Sequence, residues 1–215
     1  MTSAHNSSTG RRYSGLAAEE RTRARRDALL EAALDRFGTA GFAATSVKQI
    51  CGAASLTERY FYESFRDRQA SLVQVYAMLV AEMRQATETA IAAAGSETAV
   101  VVRAGLAAFI EYLTEDPRRA RIVLIEVVGV SPELEELRHG VLRAFGELIG
   151  SVWSTEAGID PDDERTRLSA IALSGAVNNL LVDWMMTGQR QSVEVLVEVC
   201  TTLFLAAAGA LRRAE

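Results

Sequence analysis

Apolar residues recur every three or four positions along almost the whole chain, and this periodicity is typical of helices that bury one face. The clearest example runs from about residue 18 to residue 39, where one apolar stripe comprises Leu29, Leu30, Ala33, Leu34 and Phe37. No segment of the sequence shows the alternating pattern of a strand bounded by hairpin turns. Ala is abundant and Pro occurs only three times, which favours helix over sheet. The sequence therefore predicts an all-α fold of about nine helices.

Residues that cap helices set the expected boundaries. Thr45 or Ser46 is expected to cap a short second helix, and Thr57 a third. Helix N-termini favour phosphate, so Thr45 and Thr57 are also candidate phosphate contacts. Asp160 followed by Pro161 is typical of a cap and a first-turn proline, which predicts the start of the eighth helix there.

Only three residues, Ala54-Ser55-Leu56, separate the second and third predicted helices, so these helices must meet at a sharp angle. This arrangement is typical of a helix-turn-helix motif, in which the second helix of the pair enters the major groove of DNA. Arg59 is the best candidate for contact with a base edge, because its planar fork matches guanine O6 and N7. Tyr60 and Tyr62 can donate their hydroxyl groups to phosphates.

Charge is unevenly distributed along the chain. Residues 11–68 carry 11 Lys or Arg and 8 Asp or Glu, whereas the rest of the chain carries 12 and 20. A basic N-terminal third indicates that any polyanion binds there. Residues 1–17 are predicted to form a disordered, mildly basic arm. The basic residues near the start of the chain fit two interpretations: a solvated helix surface with a flexible tail, or contact with the minor groove and phosphates. They are Arg11, Arg12, Arg21, Arg23, Arg25 and Arg26.

One segment resembles a known protein family. Similarity to the DNA-binding domain of the tetracycline-repressor (TetR) family covers about residues 25–72, which include DALLEAALDRFGTAGFAATSVKQICGAASLTERYFYESFRDRQASL. Three sequence features carry this resemblance: the G-F/x-x-T/S-V spacing, the Ile50-x-x-Ala53-Ala54 core and the F-Y-x-x-F run. The resemblance implies an N-terminal three-helix DNA-binding domain, a variable helical ligand-binding domain, a homodimer, and a role as a transcriptional regulator, usually a repressor. The positions that match DNA contacts of family members are Thr45, Lys48, Thr57, Arg59, Tyr60, Tyr62 and Arg68.

We expect the helix-turn-helix domain over residues 18–66 and a helical ligand-binding and dimerisation domain over residues 67–215. The eighth helix and the last helix, over about residues 192–212, are apolar on nearly every side. Each therefore needs cover over most of its circumference. Burial of these last two helices against a second copy is the preferred interpretation, and core helices of a monomer are the alternative. Small residues such as Gly175 and Ala207 permit close approach in a symmetric dimer.

Polar residues inside apolar helix patterns mark a candidate pocket in the C-terminal domain. The candidate ligand-binding residues are Glu126, Asn178, Asn179, Asp183 and Trp184. Each of them equally fits a packing hydrogen bond or a dimer contact. The effector is expected to be small and partly apolar, and the sequence does not identify it further. Trp153 and Phe109 are expected in the hydrophobic core rather than in a pocket.

Other classes of function find little support in the sequence. It contains no Gly-rich phosphate loop, nucleophile elbow or paired-carboxylate motif, and His139 fits a surface position better than a general base. Cys51 and Cys200 define no disulfide or zinc spacing. We therefore expect no enzyme activity, no cofactor and no metal site. The absence of a secretory signal and of an uninterrupted apolar run of about 18 residues favours a cytoplasmic protein without a membrane segment.

The predicted function is a ligand-responsive homodimeric regulator that binds a partly palindromic DNA operator and is released by a small effector. A protein of the same fold that binds a ligand or serves as a scaffold, without recognising DNA, is the alternative. Glu58 and Glu63 on the third predicted helix support that alternative, because carboxylates near phosphates are repelled.

Overall fold

Helices account for all regular secondary structure in the computed structural model, which describes residues 8–213 and their side chains from residue 18 onward. The predicted all-α fold is confirmed for this part of the chain. The α-helices are α1 (Ser8–Thr39), α2 (Val47–Ala53), α3 (Glu58–Ser64), α4 (Arg68–Ala93), α5 (Thr98–Glu115), α6 (Pro117–Arg121), α7 (Pro132–Ala157), α8 (Glu164–Met186) and α9 (Val193–Arg212). A π-helical segment, Ile122–Glu126, continues directly from α6.

The chain divides into two compact units, and the boundary between them falls between Val75 and Tyr76, within α4. The first turns of α4 belong to the N-terminal unit, where the Arg26 Nη2 group on α1 donates to Gln74 Oε1 at 3.0 Å. The boundary predicted after residue 66 falls just before α4 begins. That each unit has its own function stays a prediction.

The apolar stripe of α1 builds the core of the N-terminal unit. Leu29, Ala33 and Phe37 are fully buried, as their helical spacing predicted. Helices α2 and α3 both pack on α1, and each contributes a fully buried side chain, Ile50 and Phe61. Burial of a large apolar side chain contributes about 1.5–3 kcal/mol, so these contacts hold the two short helices on α1.

The turn between α2 and α3 is closed by backbone hydrogen bonds. The Leu56 N–H donates to the Cys51 carbonyl at 2.9 Å, and the Ser55 N–H donates to the Gly52 carbonyl at 3.2 Å. This pair of bonds is a Schellman motif, which ends a helix with a residue in the left-handed conformation. Ser55 accordingly has a φ of 53°. A residue with a side chain therefore occupies a position that favours glycine.

Ser55→Gly is expected to raise the free energy of unfolding of the N-terminal unit by about 0.5–1 kcal/mol. The left-handed conformation costs a non-glycine residue roughly 1–2 kcal/mol, and the greater freedom of glycine in the unfolded chain offsets about 0.4–1 kcal/mol of that. Urea unfolding measures the change. Ala54→Gly is the matched control, because Ala54 has a right-handed φ of −79° and should lose stability instead. A loss of stability in both variants would contradict the interpretation.

Pairs of long helices build the C-terminal unit, with α7 packed on α8 and α5 on α9. Glycine permits a close approach of α7 to α8. A Cβ atom added at Gly146 would lie 3.3 Å from the Ile171 Cα atom and 3.4 Å from its backbone nitrogen. Since protein interiors are close-packed, the backbone of α8 leaves little room for a larger residue at this position.

The start of α8 differs from the prediction. The helix begins at Glu164 because the Asp163 carboxylate accepts a hydrogen bond from the Thr166 N–H at 3.0 Å and caps it. Asp160 accepts from the Asp162 N–H at 3.0 Å in the preceding turn. The Asp160-Pro161 pair therefore marks a turn rather than the helix start.

Two further boundaries lie near the N-terminus. Helix α1 begins at Ser8, ten residues before the expected start. The predicted disorder of the arm falls, for residues 1–7, outside the described residues. At α2 the cap is Ser46: its hydroxyl accepts from the Gln49 N–H, and Gln49 Oε1 accepts from the Ser46 N–H at 2.7 Å. This reciprocal pair is a capping box.

Helices α8 and α9 are long and apolar enough, by length and composition alone, to cross a membrane. Neither helix is an uninterrupted apolar run, because polar residues such as Asn178 and Glu198 interrupt them. The sequence criterion for a membrane segment therefore did not identify either helix. Core helices of soluble proteins satisfy the same criterion. Both helices pack against other helices of the C-terminal unit, and each also carries exposed apolar side chains.

Candidate DNA-binding surface and effector cavity

Helix α3 divides its side chains between the core and the surface. Phe61 is fully buried, and its ring lies 5.3 Å from that of Phe65. The helical period then turns the intervening residues outward, as expected for a helix that enters a DNA groove. The predicted DNA-binding residues that lie exposed on or beside α2 and α3 are Lys48, Thr57, Arg59 and Tyr62.

Arg59 is paired with a carboxylate on its own helix. Its Nε group donates to Glu63 Oε1 at 3.0 Å, and the Arg59 side chain is 84% exposed. Exposed ion pairs one helical turn apart contribute only about 0.3–0.5 kcal/mol. Arg59 can therefore leave Glu63 for a base edge at little cost.

Tyr60 and Thr57 complete the exposed end of α3. Tyr60 is half-buried, because the Arg25 guanidinium stacks on its ring at 4.5 Å from the centroid. Thr57 stands at the N-cap position, as predicted, but its hydroxyl makes no capping hydrogen bond. The Thr57 hydroxyl oxygen therefore accepts no bond from the helix N-terminus, and its O–H can donate to an acceptor outside the helix.

Two predicted DNA-binding residues hold the fold instead. Thr45 is 1% exposed, and its hydroxyl donates to the Gly41 carbonyl at 2.8 Å. Arg68 donates to the Thr45 carbonyl, and its guanidinium lies 4.2 Å from the centre of the Phe42 ring. These contacts tie the loop between α1 and α2 to the start of α4. We therefore correct the prediction for Thr45 and Arg68, whose side chains are engaged within the N-terminal unit.

Arg25 and Arg26 of α1 also make internal contacts, whereas Arg21 and Arg23 are exposed. Arg26 donates to the Ser64 carbonyl at 2.8 Å and lies 4.7 Å from the centre of the Phe65 ring. Together with the stacking of Arg25 on Tyr60, this contact fixes α3 on α1. The sequence allowed two interpretations of these arginines, solvated surface or contact with DNA, and neither predicted this packing role. The side chains of the arm arginines lie outside the described residues.

The C-terminal unit encloses a narrow cavity. The cavity is open on one side and has a volume of about 100 Å³. Helices α4, α5, α7, α8 and α9 and the π-helical segment contribute to the wall. Representative lining residues are Met83, Leu106, Val123, Leu124, Phe145 and Phe204. Such a largely apolar cavity is typical of a site for a small molecule.

Among the predicted ligand-binding residues, Asn178 lines the cavity. Asn179 and Asp183, on the same helix, are exposed and lie outside the lining. The prediction is therefore wrong for Asn179 and Asp183. The polar positions of α8 face two directions, and only the direction of Asn178 leads to the cavity.

Trp184 and Glu126 also lie outside the cavity lining. The Trp184 Nε1–H donates to the Gln191 carbonyl at 2.9 Å and so fixes the connection that follows α8. Glu126 accepts from Arg121 Nε at 2.8 Å, five residues away across the π-helical segment. For both residues the alternative of a packing interaction is the correct one.

Several cavity residues were not singled out in the sequence. Trp153 and Phe109 were expected in the core, and both line the cavity. Tyr76 also lines it and is 3% exposed. Burial raises the pKa of Tyr76 to about 12, while Arg138 lowers it and Glu135 raises it. The Tyr76 hydroxyl therefore stays protonated at neutral pH and can donate a hydrogen bond.

The N-terminal unit, with a short turn between two helices and an outward-facing polar surface on the second, defines a helix-turn-helix DNA-binding protein. Residues 29–74 match the model of the family described as bacterial regulatory proteins, tetR family. This match places a TetR-type DNA-binding segment at residues 29–74 and supports a TetR-family regulator, as the resemblance implied. The family is one of regulators rather than enzymes.

Relatives cover most of the chain. The HTH-type transcriptional regulator AcrR of Shigella flexneri is 24% identical over 196 residues, which are 83% of this chain and 91% of the relative. The fatty acid degradation regulator FadR of Bacillus halodurans has a similar fold, with a TM-score of 0.74 at 17% identity, covering 84% of this chain and 94% of that one. FadR of Bacillus subtilis, solved in complex with stearoyl-CoA, has a TM-score of 0.73 at 15% identity, covering 84% and 97%. At these identities, the structures establish a shared fold.

Proposed function

We propose that this protein is a homodimeric transcriptional repressor that binds a partly palindromic operator and is released by a small, partly apolar effector. The observation that carries the proposal is the pairing, in one chain, of a helix-turn-helix unit with a second unit that encloses an apolar cavity. A regulator that binds bacterial DNA is located in the cytoplasm, so we propose that location for this protein.

The DNA-binding part of the proposal depends on α3. Arg59 would leave Glu63 and donate both ends of its guanidinium to a guanine. Lys48, Thr57, Tyr60 and Tyr62 would contact phosphates and so orient the helix. In a symmetric dimer, the two copies of α3 would contact half-sites about one helical turn apart, roughly 34–36 Å.

The effector part depends on the cavity and on α4. Met83, Thr87 and Ile91 of α4 line the cavity, and the same helix begins in the N-terminal unit. An effector that fits only one position of α4 would shift the population toward that position and away from the form that binds DNA. The complex of FadR from Bacillus subtilis with stearoyl-CoA supports a largely apolar ligand in a protein of this fold.

The dimer part depends on the outer faces of α8 and α9. Large apolar side chains are exposed there in this single chain, and scattered small residues permit close approach. The exposed apolar residues are Leu168, Ile171, Val195, Val199 and Leu203. A symmetric interface buries the same patch on both copies, so a second copy of this chain is the occupant that we propose.

A gel shift across the region upstream of the protein's own gene and its neighbours tests the proposal. We expect a specific, salt-sensitive complex. Arg59→Ala should weaken specific binding by roughly 1–3 kcal/mol and relax the preference at one base position. Glu63→Ala is the matched control, because it removes the other half of the ion pair and leaves the guanidinium in place.

Two results would count against this assignment. An unchanged base preference in Arg59→Ala would reject Arg59 as the residue that contacts the base. No specific complex with any fragment, in a protein that still binds a small molecule, would instead favour the ligand-binding protein of the same fold that does not recognise DNA.

A further inference from the structure

The indole N–H of Trp153 is a buried hydrogen-bond donor that lacks an acceptor. Trp153 is fully buried and lines the cavity, and its Nε1 atom has no hydrogen-bond partner in the described part of the chain. Buried tryptophan N–H groups usually find an acceptor, because an unpaired donor has lost its hydrogen bonds to water without replacement. Trp184 shows the usual arrangement, since its Nε1–H donates to the Gln191 carbonyl.

The surroundings of Trp153 indicate where an acceptor can come from. The indole packs in an apolar cluster with Ile159, Ala170 and Ala208, and the ring of Phe204, which itself lines the cavity, lies 6.5 Å from it. These side chains contain no acceptor. The cavity, in contrast, has empty space for several water molecules or for a ligand. The cavity is therefore the source of an acceptor for Trp153, and because the Nε1 atom is fully buried, neighbouring side chains must shift slightly to admit it.

The charges around the cavity argue against an anionic ligand. Arg138 is the one charged side chain in the lining among the described residues, and its Nη1 group donates to Glu135 Oε2 at 2.8 Å. The Gly129 N–H donates to Glu135 Oε1 at 2.7 Å, and this bond and Arg138 lower the pKa of Glu135. Glu135 therefore stays ionised and already neutralises Arg138, so an anion entering the cavity would lack an unpaired cation.

We propose that the cavity binds a neutral, mainly apolar molecule with one carbonyl-type acceptor, and that this acceptor takes the hydrogen bond of the Trp153 Nε1–H. The inference rests on the proposed function, because it names the class of effector for that cavity. The apolar walls would hold the hydrocarbon part of the molecule, and the buried Trp153 N–H would select for the acceptor.

Nuclear magnetic resonance of the ¹⁵N-labelled indole groups tests the hydrogen bond directly in the full-length protein. Nonan-2-one is the probe, and 2-methylnon-1-ene, in which a methylene group replaces the carbonyl oxygen, is the matched ligand. We expect the Trp153 Nε1–H proton to move downfield with the ketone and not with the alkene. The Trp184 proton is the internal control and should stay in place. Equal movement with both ligands, or none with the ketone, would overturn the proposal.

Calorimetry on Trp153→Phe measures the contribution of the same bond. Affinity for the ketone should fall about tenfold, the typical effect of losing one hydrogen bond, while affinity for the alkene should change much less. An equal loss for both ligands would assign Trp153 a packing role only. In the unchanged protein, nonanoate should bind at least about tenfold more weakly than the ketone, because its charge must be desolvated. Nonanoate binding as tight as that of the ketone would overturn the neutral-ligand assignment.

These measurements contain no DNA, so their outcome is separate from that of the gel shift. A ketone that binds through Trp153 without releasing any operator would leave this inference standing and count against the proposed regulatory function. Failure of the ketone to bind at its solubility limit, in a protein that still forms the specific DNA complex, would overturn the ligand class alone.

Discussion

Replacing Phe61 by alanine is expected to lower the free energy of unfolding of the N-terminal unit by about 3–5 kcal/mol. The Phe61 side chain is fully buried between α3 and the rest of this unit, and its ring contacts that of Phe65 at 5.3 Å. Truncation leaves a cavity at the point where the short helix α3 is anchored. Because single domains are typically stable by only about 5–15 kcal/mol, such a loss should largely abolish DNA binding.

Tyr62→Ala is the matched control for Phe61→Ala. The two aromatic residues are adjacent on α3, but Tyr62 is 56% exposed. Its removal should change stability by no more than about 0.5 kcal/mol, while it weakens DNA binding if the hydroxyl contacts a phosphate. Chemical unfolding monitored by circular dichroism compares the two variants. Equal stability of the two variants would contradict the assignment of Phe61 as the anchor of α3.

In the proposed dimer, Val199→Asp is expected to separate the two copies into monomers. Val199 lies on the outer face of α9 and is 44% exposed in the single chain. In a symmetric interface the substitution buries two unpaired carboxylates, one from each copy. Leaving buried charges uncompensated typically costs 3–5 kcal/mol, so the dissociation constant should rise by at least about 100-fold. Sedimentation equilibrium should then give the mass of one chain, 23.3 kDa.

Val100→Asp controls for the general effect of a new surface charge. Val100 lies on α5 and is also 44% exposed, but it is not part of the proposed interface. This variant should keep the mass of two chains and its binding to DNA. If Val199→Asp also kept the mass of two chains, the outer face of α9 would not be the dimer interface.

The sequence predicted local features well where helical period alone decides them. The exposed positions of Arg59 and Tyr62 and the burial of Phe61 follow from the 3.6-residue repeat of α3. Thr45 and Arg68 were assigned wrongly because their partners are set by tertiary structure. The hydrogen bond between them joins residues 23 positions apart, and the helical period of the sequence does not predict contacts over that distance.

The effector cavity was harder to predict for a related reason. Several helices contribute to its wall, and one sequence pattern cannot tell an aromatic residue that fills a core from one that borders an empty space. Trp153 was therefore assigned to the core, and its unpaired N–H is visible only in three dimensions. Asn179 and Asp183 were predicted to line a pocket because they are polar residues in an apolar helix pattern. They lie instead on the exposed face of α8.

The π-helical segment forms part of one wall of the cavity, and it allows the side chains that face the cavity to change in a way that a regular helix does not. A π-type turn holds an extra residue and is frequent at functional sites, and here that turn places Val123 and Leu124 at the cavity. Moving the extra residue by one position would change which side chains face inward and leave the neighbouring turns in register. A single insertion or deletion in this short stretch could thus alter ligand selectivity over evolution, without any rebuilding of the surrounding bundle.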